Sequence, residues 1–148
     1  MPTSTRFVVA VHTLALLAIN DGRPVRSEDI ASSANTNPSV IRALLSRLSS
    51  MGLTTGQLGT GGGALLAKAA ADIRLLDVYQ AVEDSEIFAM HRSPPDRNCP
   101  IGGNIQDTLR PSLDQARAAL ERELASVTIA AVAAGIAHRV KLTNEPSR

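Results

Sequence analysis

Cys99 is the chain's single cysteine, and its thiol is the most reactive group the sequence offers. His91, Arg92 and Arg97 lie near it along the chain. Positive neighbours favour the thiolate, the form that reacts with oxidants and binds metals. Cys99 and His91 therefore form a candidate redox or effector site, with the effector unspecified. A plainer reading, a small residue filling the base of a helix, stays open beside it. An enzyme using Cys99 as nucleophile and His91 as base would need a third orienting group and an oxyanion site. Neither is recognisable, so no catalytic residue and no enzymatic activity are expected. Two donors do not close a metal site, and no metal is expected.

The run Gly59-Thr60-Gly61-Gly62-Gly63-Ala64 matches the dinucleotide fingerprint G-x-G-x-x-G/A. That fingerprint works only after a buried strand and inside a βαβ unit of about 30 residues. Here two helical patterns precede it and no parallel strands follow. The Gly-Lys-Ser/Thr of a Walker loop is also absent. The glycines read instead as the tip of a β-hairpin, with LTTGQL and ALLA as its arms.

A third constellation suits a nucleic acid. Ser39, Arg42, Ala43 and Ser46 recur at helical spacing, opposite an apolar stripe of Ile41, Leu44, Leu45 and Leu48. Small side chains around one Arg can enter a major groove, where a guanidinium bonds guanine O6 and N7 together. Arg42 is the expected base reader and Val40 shares its front. Arg47, nearer the helix edge, is expected to touch the backbone. Ser27 and Asn37 are expected N-caps, placed where helix N-terminal amides can meet phosphates. Thr60, Gly61 and Gly62 at the hairpin tip would approach the sugar–phosphate chain closely. The bland alternative is an ordinary solvated helix face.

The elements that must position these groups follow from pattern and punctuation. Residues 4–19 predict a helix that is apolar nearly all round, ended by Asn20-Asp21-Gly22. Its run FVVAVHTLALLAI is too short to span a membrane, which takes about 20 apolar residues. It also lacks a leader's cleavage site, so no membrane partner is expected. Ser27 opens a short second helix, and Asn37-Pro38 opens a third that stops at Gly52. Asp72 is expected to cap a fourth, DIRLLDVYQAVE, burying Leu75, Leu76, Tyr79 and Val82. Residues 84–103 form a long irregular loop carrying Cys99.

Beyond Asn104, Ile105, Leu109, Leu113, Ala116, Leu120, Leu124 and Val127 are spaced 4, 4, 3, 4, 4, 3. This eleven-residue period keeps one apolar seam along a helix of about 36 Å. A second copy of the same helix is the expected cover, making a homodimer. Pro111 is expected to kink it. TIAAVAAGIAHRV should form a last helix that packs back. His12 and His138 read as core and surface residues.

Aromatics are only 2% of the chain, which leaves Ala and Leu to build the core and favours helix over sheet. Residues 1–68 carry six Lys/Arg against three acids, net +3, and the remainder nine against eleven, net −2. A basic half beside a mildly acidic one is compatible with a polyanion. One cysteine excludes an intrachain disulfide and fits a reducing, cytoplasmic setting.

TNPSVIRALLSRLSSMGL followed by GTGGGALLAK resembles the signature of the Rrf2 family of bacterial winged-helix regulators. SEDIA, IRLLDVYQAVE, CPIG and ELASVTIAAV extend the likeness over nearly the whole chain, in the family's order. The resemblance implies a winged helix-turn-helix that regulates transcription. Cluster-binding members supply three cysteines before the long helix, whereas this chain has Cys99 alone. It therefore resembles a single-cysteine branch, and no iron–sulfur cluster or other cofactor is expected, since a cluster takes about four ligands. Family wings also commonly carry an Arg before the glycines, and Leu58 stands there instead.

The expected fold is mainly α, a winged helix-turn-helix domain with a small β-hairpin wing plus a long C-terminal dimerisation helix. Residues 1–83 would form the DNA-binding domain, 84–103 the Cys99 loop, 104–142 the dimerisation and C-terminal helices, and 143–148 a disordered tail. The expected function is sequence-specific binding of double-stranded DNA by a homodimer on a pseudo-palindromic site, repressing transcription and responding to thiol oxidation. The alternative is a winged-helix protein-interaction module that has lost DNA binding, which Leu58 and the modest charge would favour.

Overall fold

The computed structural model describes residues 4–84 and 86–144. Among these, six helices accompany one antiparallel hairpin. The helices are α1 (Arg6–Ile19), α2 (Ser27–Ala34), α3 (Pro38–Ser50), α4 (Leu75–Val82), α5 (Ile105–Ala125) and α6 (Ile129–Asn144). The hairpin pairs β1 (Thr54–Gln57) with β2 (Gly63–Leu66), in a register that sets Thr54 opposite Leu66 and Gln57 opposite Gly63.

α3 divides the core in two. Leu44 and Leu48 join Ala10 and Leu14 of α1, Val78 and Val82 of α4, Leu53, Ile73 and Ile129. Ile41 instead packs with Leu17, Ile30, Ala31 and Ala64. Every one of these side chains is almost fully removed from water, and that burial holds the angle between α2 and α3. Buried Thr13 satisfies its hydroxyl by donating to the Val9 carbonyl at 2.9 Å.

The helix starts are partly as expected. Asn37 caps α3, its Oδ1 accepting from the Ser39 amide at 2.9 Å, with Pro38 in the first turn. Ser27, by contrast, is the first residue of α2 rather than its cap. Arg26 holds the extended cap geometry, and its carbonyl accepts from Asp29 and Ile30. Asp72 does not cap α4 either. It ends a 3₁₀ turn over Ala70–Asp72, and α4 begins at Leu75 because Asp77 reaches back to the Arg74 amide at 2.9 Å. Of the expected α4 stripe only Val82 is fully buried, together with Val78. Leu75, Leu76 and Tyr79 are half-buried, Tyr79 edge-on to Phe7 at 5.9 Å.

α1 is not covered all round. Val8 is 67% exposed and Ile19 48%, and they border an apolar groove of about 400 Å³ that Val132 and Ile136 of α6 complete. α6 packs back on α1 as expected, yet Val140 and Leu142 remain exposed. It also runs through Thr143 and Asn144, two residues expected in the tail. Residues 145–148 lie outside the described residues.

α5 runs unbroken from Ile105 to Ala125 with Pro111 inside it. Its seam is unevenly exposed. Leu113 and Leu120 are half-buried, Leu113 lining one groove with Ile87 and Leu120 lining another with Ile87 and Tyr79. Ile105 and Leu124 are half-buried, whereas Leu109 and Ala116 face solvent. Val127 lies beyond the helix, where its carbonyl accepts from the Leu75 amide at 2.9 Å. No residue of α5 is fully buried within the single chain, so the ridge keeps part of every side chain exposed.

Candidate nucleic-acid interface

The turn between α2 and α3 sets the interface. Asn35 takes the left-handed conformation (φ 51°, ψ 52°), and Thr36 closes the turn by donating to the Ala31 carbonyl at 2.9 Å. Asn tolerates that conformation better than most residues. α3 then leaves with Ile41, Leu44 and Leu48 inward, which places Ser39, Val40, Arg42, Ala43 and Ser46 outward, all exposed. The Ser39 hydroxyl donates to Asn37 Oδ1 at 2.9 Å. The capping Asn therefore also fixes the first side chain of the exposed face.

Val25 docks the wing onto this pair of helices, exchanging two backbone hydrogen bonds with Ala64 at 3.1 and 2.8 Å. Gly62 is required by the hairpin itself. A Cβ there would sit 2.1 Å from the Gln57 carbonyl oxygen, far inside van der Waals contact. Thr60 and Gly61 lie exposed at the tip, Gly62 is half-buried, and Leu58 is 96% exposed.

Between the start of α2, α3 and the wing lies a cleft of about 390 Å³, walled by Ser27, Arg42, Ser46, Ser49, Thr55 and Gln57 among others. Among the described residues Arg42 is the one ionisable side chain on its wall; the other polar side chains there are hydroxyls and an amide. Ser49, Thr55 and Gln57 were missed in the sequence. Their signals were present, since Ser49 follows Ser46 by three residues and Thr55 and Gln57 alternate on β1.

Most arginines of this half are paired with acids. The Arg42 guanidinium bonds Glu28 of α2 through Nη2, and Arg26 bonds Asp29 at 3.1 Å. Arg47 differs from expectation. It turns away from the exposed front to the C-terminal end of α4, donating to Asp84 at 2.7 Å and to the Val82 carbonyl at 3.4 Å. The cause is its position one residue past Ser46, on the flank that faces α4.

The Cys99 loop lies elsewhere, at the foot of α5. Cys99 is half-buried and free. Its thiol is held below the ordinary range by the backbone amides of Gly102 and Ile101. The charges of His91, Arg92 and Arg97, the expected cause, are not among those that lower it. His91 is exposed and its Nδ1 lies 3.3 Å from Gln106 Nε2. The loop closes tightly enough that a Cβ on Gly102 would meet the Asp96 carbonyl oxygen at 2.4 Å. Of the other histidines, His12 is half-buried, 2.8 Å from Ser33 Oγ, and His138 is exposed.

A recognition helix flanked by a docked wing invites comparison with known regulators. The family model described as "Rrf2: Iron-dependent Transcriptional regulator" matches residues 3–135. The chain belongs to the Rrf2 family. It is 40% identical over 127 residues to YwnA of Bacillus subtilis (strain 168), whose name is that of an HTH-type transcriptional regulator. That alignment covers 85% of this chain and 92% of YwnA. A solved Lactobacillus plantarum protein, named as a transcriptional regulator, superimposes with a TM-score of 0.76 at 30% identity, over 95% of this chain and 99% of that one. The B. subtilis global cysteine regulator CymR shares the fold, with a TM-score of 0.69 at 20% identity, over 90% and 97% of the two chains.

This Rrf2 protein is a DNA-binding transcriptional regulator with a winged helix-turn-helix fold. An iron–sulfur cluster held by one protomer alone does not fit its donors. Cys99 is the only thiol in the sequence, and no three His, Cys, Asp or Glu side chains converge among the described residues. A cluster needs about four ligands, mostly thiolates. Among the described residues no helix is long and apolar enough to cross a membrane.

Proposed function

We propose that this Rrf2 protein represses transcription as a cytoplasmic homodimer, each protomer reading one half of a pseudo-palindromic site. The observation that carries the reading is the exposed front of α3, Ser39, Val40, Arg42, Ala43 and Ser46, opening on a cleft shared with the wing. Its one guanidinium and several hydroxyls suit base edges in a major groove. The amides at the starts of α2 and α3, beside Ser27 and Asn37, and the wing tip at Thr60 and Gly61 would meet phosphates.

Dimerisation is supported by apolar surface that a single chain leaves wet. Leu109 on α5 and Val8, Ile19, Ile136, Val140 and Leu142 on α1 and α6 are all 40% exposed or more. Val8, Ile19 and Ile136 border one groove, apolar surface of the kind that marks an interface, and a second copy would close it with two-fold symmetry. The two recognition helices would then lie about 34 Å apart, one turn of duplex, or a multiple of it.

Within the same proposal Cys99 is the effector site and no cofactor or catalysis is involved. A peroxide would convert its thiolate to sulfenic acid, and the change would reach DNA affinity through α5. Selection of bound duplexes from a random pool, at fixed salt and with or without peroxide, tests the reading. A palindromic site whose affinity changes on oxidation is the expected result. A pool that shows no enrichment would replace it with a winged-helix module that binds protein, a reading to which Leu58 and the paired arginines lend some support.

A further inference from the structure

The geometry points to Glu28 as the residue that positions Arg42 for bases and denies it to phosphates, so that an acid on α2 sets the specificity of the recognition helix. The inference rests on the proposed DNA face and deepens it. Arg42 and Glu28 are 14 residues apart, on the two helices of the motif, and are joined through Arg42 Nη2 and Glu28 Oε1. Both side chains remain more than half exposed, at 58% and 54%, so the pair sits on the surface that DNA would approach. The neighbouring acid, Asp29, is engaged with Arg26 at 3.1 and 3.3 Å. Glu28 is thus the carboxylate of that turn that serves Arg42.

Two physical consequences follow. An unanchored Arg loses rotamer freedom when it reads a base. One tethered through a single donor group has lost part of it already, with Nε and Nη1 still able to donate. The second consequence concerns charge. A phosphate bonded to the same guanidinium would lie well inside the screening length of about 8 Å from the Glu28 carboxylate, and the two anions repel. A guanine edge offers neutral acceptors at O6 and N7 and meets no such repulsion. Phosphate is common to every sequence, whereas the guanine edge is not. Because Arg42 is, among the described residues, the one ionisable group on the cleft wall, the pairing separates specific from non-specific binding.

The test compares wild type, E28Q, E28D, R42A and the E28Q/R42A double variant on a duplex selected with the wild type and on a scrambled one. Thermal melts confirm that each variant is folded. E28Q should tighten binding to the scrambled duplex and lower the specificity ratio about tenfold, within the discrimination one bidentate contact supplies. Its salt slope on the scrambled duplex should steepen by about 0.9, one added phosphate contact. E28D, which keeps the charge, should restore most of the ratio, and in the R42A background E28Q should have a much smaller effect, limited to the general loss of one negative charge. The inference is overturned if E28Q leaves ratio and slope unchanged, weakens both duplexes by one factor, or acts equally without Arg42. A wild type that enriches no duplex from a random pool removes the reading of α3 as a base-reading face, and this inference with it.

Discussion

Arg47 of α3 donates to Asp84 at 2.7 Å, and the same carboxylate accepts from Arg6 of α1 at 3.2 Å. Asp84 thereby ties the recognition helix to the point where the chain leaves α4 for the Cys99 loop. Two residues on, Glu86 pairs with Arg117 of α5 at 3.3 Å. The ends of this short segment thus grip α3 and α5, the helix that would meet DNA and the helix that would feel Cys99.

The Asp84 carboxyl is held below the ordinary carboxylate range, first by its hydrogen bond from Arg47 and then by the charges of Arg47 and Arg6. A depressed folded pKa means that the native state holds its proton less tightly than the unfolded chain. The contribution is therefore fully present above the unfolded value, about 3.9, and fades as pH falls through the folded value. D84N should melt below wild type at pH 7, and the gap should close progressively in acid. A gap of equal size at pH 7 and pH 2 would contradict this account.

The same contact separates the two arginines of α3. R42A should lose discrimination between a selected and a scrambled duplex, because it removes the guanidinium on the cleft wall. R47A removes a tie to α4 and should lower the melting temperature while keeping the specificity ratio. Binding isotherms on both duplexes, with melts of each variant, check this. An R47A protein as stable as wild type but with uniformly weaker binding would return Arg47 to the phosphates.

Features that local chemistry decides were legible in the sequence. Asn37 and Pro38 start α3 through contacts two residues long, and the glycine run makes a hairpin through its own backbone. The i, i+3, i+4, i+7 spacing of Ile41, Leu44, Leu45 and Leu48 likewise marked the core face, on which Leu45 alone is only half-buried. What was hidden depends on partners distant in sequence. Arg42 meets Glu28 across 14 residues and Arg47 meets Asp84 across 37, and neither pairing has a periodic signature. Asp72 has the chemistry of a cap, but Asp77 competes by bonding the Arg74 amide, and α4 starts later. The α5 seam is apolar in sequence whichever surface covers it, so its spacing could not show that Leu113 and Leu120 line grooves shared with Ile87 and Tyr79.

Cys99 owes its lowered pKa to amides in its own turn, which makes the turn testable. Alkylation of the wild-type thiol should show a midpoint below the usual value of about 8.5. G102A places a Cβ 2.4 Å from the Asp96 carbonyl oxygen, so the turn must open and the midpoint should rise. C99S should bind DNA as reduced wild type does and ignore peroxide. A C99S protein that still responds to peroxide would remove Cys99 from regulation.

Leu58 offers the sharpest test of how the wing is used. It is 96% exposed at the start of the hairpin tip, so a longer side chain there displaces nothing and should leave the melting temperature unchanged. An Arg at this position would stand where the family resemblance places one, beside the glycines that bring the backbone round. If the wing lies along the duplex, L58R should tighten binding and steepen the salt dependence by about 0.9 in the logarithmic slope, one further phosphate contact. Should the Arg enter a minor groove, the gain should be larger on duplexes with a narrow A·T-rich flank, where the negative potential is strongest. A folded L58R protein with the wild-type salt slope on every flank would place the wing away from DNA and leave α3 to bind alone.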